Sequence, residues 1–214
     1  MTARPGIGLK QLLAHGAALA ALLSSGFAAA GCAATAPRQL LAASAALEGR
    51  PRTVFLPLEN LTDEAARGQQ VNEIFFVAFT RSGLFEPVES GEMLDALREL
   101  RIRHTGSLSH EHIGELGARL DARLILLGTI LECGTATTRD GPVPALGVSL
   151  RLLDVETRRV VWTDAHIRTG EDREGVFGLG REESFERLTT ETADEMFDQL
   201  RSETLERKRV KERS

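Results

Sequence analysis

The sequence predicts an α/β domain, a single mixed β-sheet of about five strands with about four packed helices. Three observations predict it. Short apolar runs such as Thr53–Leu56 and Ala122–Leu131 alternate with segments whose apolar residues recur at helical spacing. From Leu146 to Ile167 two stretches alternate in polarity across a polar turn, as paired antiparallel strands do. The resulting order is strand, helix, strand, helix, helix, strand, strand, strand, helix. It places helices on one or both faces of one sheet.

The first stretch is not part of that domain. Gln11–Cys32 is a short, Ala-rich apolar run behind Arg4 and Lys10, and no acidic residue precedes Glu48. A basic start, an apolar middle and a small-residue end describe a secretory signal. His15 and Ser24-Ser25-Gly26 interrupt the run, which makes it too weakly apolar for a permanent span of about 20 residues. Ala29-Ala30-Gly31-Cys32 resembles the lipobox of bacterial lipoproteins. The resemblance implies cleavage between Gly31 and Cys32, a diacylglycerol on the Cys32 sulfur and palmitate among its acyl chains. No Asp follows Cys32, which by the sorting rule of that class implies the outer membrane, periplasmic side. Several acyl chains, at about 0.8 kcal/mol per buried methylene, make a durable anchor to outer-membrane lipid.

The expected organisation is a signal peptide at 1–31, a lipidated Cys and Ala/Ser-rich linker at 32–51, a periplasmic α/β domain at 52–209 and a basic tail at 210–214. A linker of about 19 residues spans at most roughly 65 Å extended and averages about 25 Å as a flexible coil. The folded part therefore stays close to its membrane.

Within the domain, Thr53–Pro57 is the first strand, apolar on both sides. Glu59–Thr62 is expected to turn, with Thr62 capping a helix to about Arg81 whose inner stripe is Val71, Ile74, Phe75, Ala78 and Phe79. Leu84–Val88 is a short strand, with Pro87 suited to an edge. Helices follow over Gly91–Ile102, and from a Ser109 cap with Ile113, Leu116 and Leu120 inward. Ala122–Leu131 is the sheet centre. Glu132–Ala145, with Gly134, Gly141, Pro142 and Pro144, reads as a loop. Leu146–Leu152 and Val160–Ile167 form a hairpin around Asp154–Arg159. After a Gly-rich segment, Gly170–Gly180, a last helix runs over Glu183–Arg209 with Phe185, Leu188, Thr192, Met196 and Leu200 inward.

Composition bounds the chemistry. Of 214 residues, 42% are hydrophobic and 27% charged, with a net charge of −5. Losing the first 31 residues, with Arg4 and Lys10, leaves 183 residues at −7, ample for one domain and unsuited to nucleic acid. With Cys32 acylated, Cys133 has no partner for a disulfide and is expected to be a buried structural thiol.

No catalytic motif is found. Gly175–Gly180 lacks the strand before it and the Gly-Lys-Ser/Thr ending of a phosphate loop. His110 and His112, two apart on a helix, point about 200° apart and do not converge on a metal. No nucleophile elbow occurs, and Asn60-Leu61-Thr62 is a sequon without weight in a bacterial envelope. Leu205–Ser214 holds five basic and two acidic residues, a helix end whose cations oppose the dipole. No enzyme, cofactor or metal is expected.

The span Thr53–Leu200 resembles a group of periplasmic domains. It comprises the curli secretion channel subunit of CsgG type, the LpoB-type lipoprotein activators of penicillin-binding proteins, and the amino-terminal domain of TolB. The residues carrying the resemblance are Leu56-Pro57-Leu58-Glu59-Asn60-Leu61-Thr62, then Ala122–Ile130, then the hairpin Leu150–Trp162. It implies a non-enzymatic lipoprotein that docks an envelope protein partner, as an LpoB-like accessory or activator. The alternative is a subunit of an oligomeric CsgG-like secretion or trans-envelope complex, a homo-oligomer without membrane-spanning hairpins of its own. A channel hairpin needs strands of about 9–11 residues, and the segments Glu132–Ala145 and Gly170–Glu182 read as too short for two.

Overall fold

The computed structural model describes residues 45–139, 141–172, 182 and 184–211, with side chains as far as Leu205. The strands are β1 (Arg52–Phe55), β2 (Glu59–Asn60), β3 (Glu86–Pro87), β4 (Leu124–Thr138), β5 (Gly141–Asp154) and β6 (Arg159–Thr169). The helices are α1 (Ala65–Arg81), α2 (Ser90–Glu99), α3 (His110–Leu120) and α4 (Phe185–Lys211). The sheet order is β3-β1-β4-β5-β6, with β2 pairing β4 in line with β1. Pairs β1–β3, β1–β4 and β2–β4 are parallel, and β4–β5 and β5–β6 antiparallel. The expected mixed sheet with four helices is present, and β4 lies at its centre.

Successive residues of β4 face opposite cores, as the two-residue period of a strand requires. Leu124, Leu126 and Ile130 join Phe55, Phe75, Phe79, Leu150, Met196 and Phe197 under α1 and α4. Ile125 and Leu127 join Val54, Met93, Leu97, Ile113, Leu116 and Leu153 under α2 and α3. The molecule thus has three layers. On the first side Phe79 is the hub, with ring centroids 4.7 Å from Phe85, 5.3 Å from Phe55 and 6.2 Å from Phe197. The inner faces of α1, α3 and α4 match the apolar stripes read from sequence, whereas on α2 Met93 and Leu97 face inward and Leu94, expected on the same face, is 41% exposed.

Two readings are corrected. Glu59–Asn60 is no turn but the strand β2, in parallel register with Thr129 and Ile130. β1 and β2 form one line interrupted at Pro57. There the amide of Asn72 on α1 takes the place of a neighbouring strand, accepting from Leu58 N at 2.9 Å and donating to Leu58 O at 3.4 Å. The helix consequently starts late. Its N-cap is Glu64 without a side-chain cap, while the predicted cap Thr62 is held by Asn60 Oδ1 at 2.8 Å and accepts from Glu64 N at 3.2 Å.

Glu132–Ala145 is likewise not a loop. β4 and β5 stay paired from Leu124↔Asp154 to Thr138↔Gly141, with one irregularity between Ile130 and Glu132. The prolines do not break this ladder. Pro144 O accepts from Gly170 N at 2.9 Å, on the β6 side. A strand residue points its N–H and C=O the same way, so the N–H that Pro144 lacks would also have faced away from β4. The distal arms, Glu132–Thr138 and Gly141–Ala145, are still shorter than the roughly 9–11 residues of a spanning strand. Among the described residues no helix is long and apolar enough to cross a membrane.

Ala46 and Leu47, at the end of the predicted linker, are buried against the first core, and Arg123 Nη2 donates to Ala45 O at 3.1 Å. Ser109 caps α3 as read, its Oγ accepting from His112 N at 3.1 Å.

Candidate functional site

The two faces of the sheet are covered unequally. α1 packs on β4 and α4, and α4 reaches across β5 and β6, tied at its N-terminal half by Arg168 to Glu195. On the opposite face α2 and α3 stop at β1, β3 and the first half of β4. Beyond Leu127 and Arg151 that face opens over a strip, before Ala145 and Val143 farther along β5 are buried again. Thr129 and Ser149 are half-buried, Thr163 and Ala165 are exposed, and Ile167 keeps 70% of its surface open. Leu131, in the irregular step of β4, is 46% exposed beside them. Gly147 leaves the strip shallow here, since a Cβ on it would meet Leu131 Cβ at 3.3 Å. β6 also ends the sheet, so its outer backbone edge has no strand partner among the described residues.

Where the covered half meets the bare half, the segment between α2 and α3 is fixed from two sides. Glu59 Oε2 accepts from Gly106 N at 3.0 Å, and Arg151 Nη2 donates to Gly106 O. Thr105 Oγ1 donates to Pro57 O at 2.6 Å. A Cβ on residue 106 would fall 2.1 Å from Glu59 Oε2, so only glycine fits this peptide between its two clamps. Behind the clamp lies a cavity of about 180 Å³. Leu108, Ile113, Leu127, Leu153 and Val160 supply its apolar walls, and Ser107, His110, Arg151 and Arg158 its polar ones.

Among the described residues no carboxylate neutralises the cations of this cavity. None of its lining residues is acidic. Arg151 makes only the bond to Gly106, and Arg158 makes no ion pair or hydrogen bond among the described residues. Arg158 instead lies flat on α3, where a Cβ on Gly114 would sit 3.1 Å from its Nη2. A larger cavity of about 340 Å³ between α1 and α4 behaves differently. Its Arg81 and Arg201 are already paired with Asp194 and Asp198. Two further pairs lie apart from both cavities, Arg119–Glu99 exposed on both sides and Arg187 reaching a buried Glu182. Hydrogen bonding to Arg119 holds the Glu99 carboxyl below its usual range, and the Glu182 carboxylate raises the Arg187 guanidinium.

Asn60, Thr62 and Cys133 form a structural knot. Asn60 Oδ1 accepts from Thr62 N at 3.0 Å, and Thr62 Oγ1 lies 3.1 Å from Cys133 Sγ. Asn60 Nδ2 donates to Glu64 O at 3.3 Å and packs over Gly68, where a Cβ would lie 2.2 Å away. Cys133 is free and buried, as read, and its hydrogen-bonding neighbours are Thr62 and the Glu64 carbonyl. Among the described residues no base adjoins it to make a nucleophile. His110 lines the cavity and His112 sits half-buried one step on. Gly31, Cys32 and Gly175–Gly180 lie outside the described residues, as do the side chains of the basic tail.

Comparison with known proteins gives a family. A family model described as peptidoglycan-synthase activator LpoB matches residues 34–166. No curated protein matches the chain. Similar solved structures include a PelC dodecamer from Paraburkholderia phytofirmans, at 21% identity and a TM-score of 0.46, with 71% of this chain and 89% of that one covered. The LpoB C-terminal domain from Salmonella enterica is 16% identical with a TM-score of 0.44, over 61% of this chain and 95% of that one. A lipoprotein from Neisseria meningitidis is 12% identical with a TM-score of 0.46, over 69% and 99%. The family match spans more than half of the sequence, and the chain belongs to the peptidoglycan-synthase activator LpoB family.

Proposed function

We propose that this member of the LpoB family is a non-enzymatic outer-membrane lipoprotein whose periplasmic domain docks a peptidoglycan synthase or a related envelope-assembly protein. The observation that carries the reading is the family match, which runs from the end of the Ala-rich segment through His166 of β6. The half-covered sheet supports it. A domain that closes one face and leaves Leu131 and Ile167 open on the other presents apolar surface of the kind that marks an interaction site. Acylation of Cys32 after cleavage behind Gly31 holds the domain at the outer membrane, and the residues before it act as the signal.

Two experiments test this. Crosslinking and pull-down from membranes should recover a penicillin-binding synthase, and recovery of no envelope protein would remove the docking role. Radiolabelled palmitate should enter the wild type and be absent from Cys32→Ala; equal labelling would remove the anchor.

A second reading has one observation in its favour, the eleven-residue edge of β6. Strand addition along that edge would join copies of the chain into an oligomeric trans-envelope assembly. Light scattering behind size exclusion separates the readings, since a monomer at high concentration excludes the assembly.

A further inference from the structure

The cavity bordering the bare sheet has an unusual combination of walls in a chain whose net charge is −5. An apolar cavity of about 150 Å³ suffices for a benzene-sized molecule, so the roughly 180 Å³ here has room for an aliphatic side chain. Its rim carries two guanidinium groups and no carboxylate. Guanidinium groups left without an acidic partner favour a carboxylate brought by something else, because charge-assisted bonds exceed neutral ones in strength. Both are also held in place beforehand. Arg151 is fixed through Gly106, and Arg158 is spread over Gly114, so less side-chain freedom is lost on binding.

We infer that this cavity is a recognition pocket for an acidic, aliphatic segment of the docked protein. A Leu- or Ile-type side chain of that segment fills the space between Ile113, Leu127 and Val160, and a neighbouring Asp or Glu carboxylate meets Arg151 and Arg158. The proposal rests on the docking reading above and adds the partner's chemistry to it. Charge complementarity selects the occupant. A basic segment would oppose both guanidinium groups, and a purely apolar one would leave them uncompensated at its side.

The test uses the full chain in detergent micelles with ¹³C-labelled Ile, Leu and Val methyl groups. It is titrated with the capped peptide acetyl-Ala-Leu-Glu-Ala-amide, its Gln counterpart and octanoate. The Glu peptide should move the methyl signals of Leu108, Ile113, Leu127 and Val160. It should bind about two- to fivefold more tightly than the Gln peptide, the upper range for a partly exposed ion pair. Arg158→Gln, an exposed position, should keep the remaining spectrum and abolish that preference. Equal binding of the two peptides, no shift at these methyls, or an unaffected Arg158→Gln would overturn the proposal. Displacement of the Glu peptide by octanoate at lower concentration would overturn it in favour of a lipid ligand. Recovery of a synthase by the wild type with a negative titration removes the pocket alone, whereas failure of the pull-down removes the docking role itself.

Discussion

The two faces of one sheet have opposite economies of surface. Under α1 and α4 the inward residues of β4 from Leu124 to Ile130 and of β5 from Leu146 to Leu152 are buried together with Val161 and Trp162 of β6, and four phenylalanines surround Phe79. Under α2 and α3 the second core ends at Leu127 and Leu153, and the strip from Thr129 and Ser149 to Ile167 lies open beyond it. The difference teaches that this chain concentrates stability on one side and availability on the other. A substitution should therefore be read first by the face it touches.

That contrast can be broken in four places, from the largest effect down. Phe79→Ala, in the closed face, should cost about 3–5 kcal/mol, measured by urea unfolding; a loss under about 1 kcal/mol would mean that the aromatic cluster is not the hub. Gly106→Ala, at the border, should cost about 1–3 kcal/mol by forcing Glu59 aside. Its methyl spectrum should change around Leu108 and leave Phe79's neighbours unmoved. Ile167→Ala, on the bare face, should stay within about 0.5 kcal/mol of wild type while lowering synthase recovery in the pull-down. Unchanged recovery would detach the bare strip from docking.

The smallest effect joins α2 to α3. Arg119 bonds Glu99 at 2.8 Å and keeps its carboxyl below the ordinary range. A carboxyl lowered in the folded state contributes stability above its unfolded pKa and loses it as pH falls through the folded one. The difference in unfolding midpoint between wild type and Arg119→Gln should be small at neutral pH and vanish in acid. A difference growing toward low pH would contradict the pairing.

Much of this architecture is legible in the residues themselves. Helical spacing exposes the stripes of α1 and α4, and the alternation from Val148 to Leu152 exposes the hairpin. Glycines and prolines mislead at Glu132–Ala145, because their cost depends on which way an N–H points, and that depends on a neighbour that composition does not show. β2 is missed because its pairing is with β4, far along the chain, and because Asn72 completes Leu58 from a helix. The cavity is hidden for the same reason. Arg151 and Arg158 look like ordinary strand and turn residues, and only Gly106 and Gly114, each beside a long polar side chain, hint that space has been cleared. His110 is visible in the sequence as a metal candidate, but its position on the cavity wall is not.

Arg158 holds a left-handed backbone, φ 55°, at the end of the turn between β5 and β6. Glycine adopts that geometry freely, and a residue with a Cβ carries a strain of about 1 kcal/mol there. A library sorted for heat resistance alone would therefore enrich Arg158→Gly. The hardier descendants of such a screen would have traded away the very cation that faces the cavity.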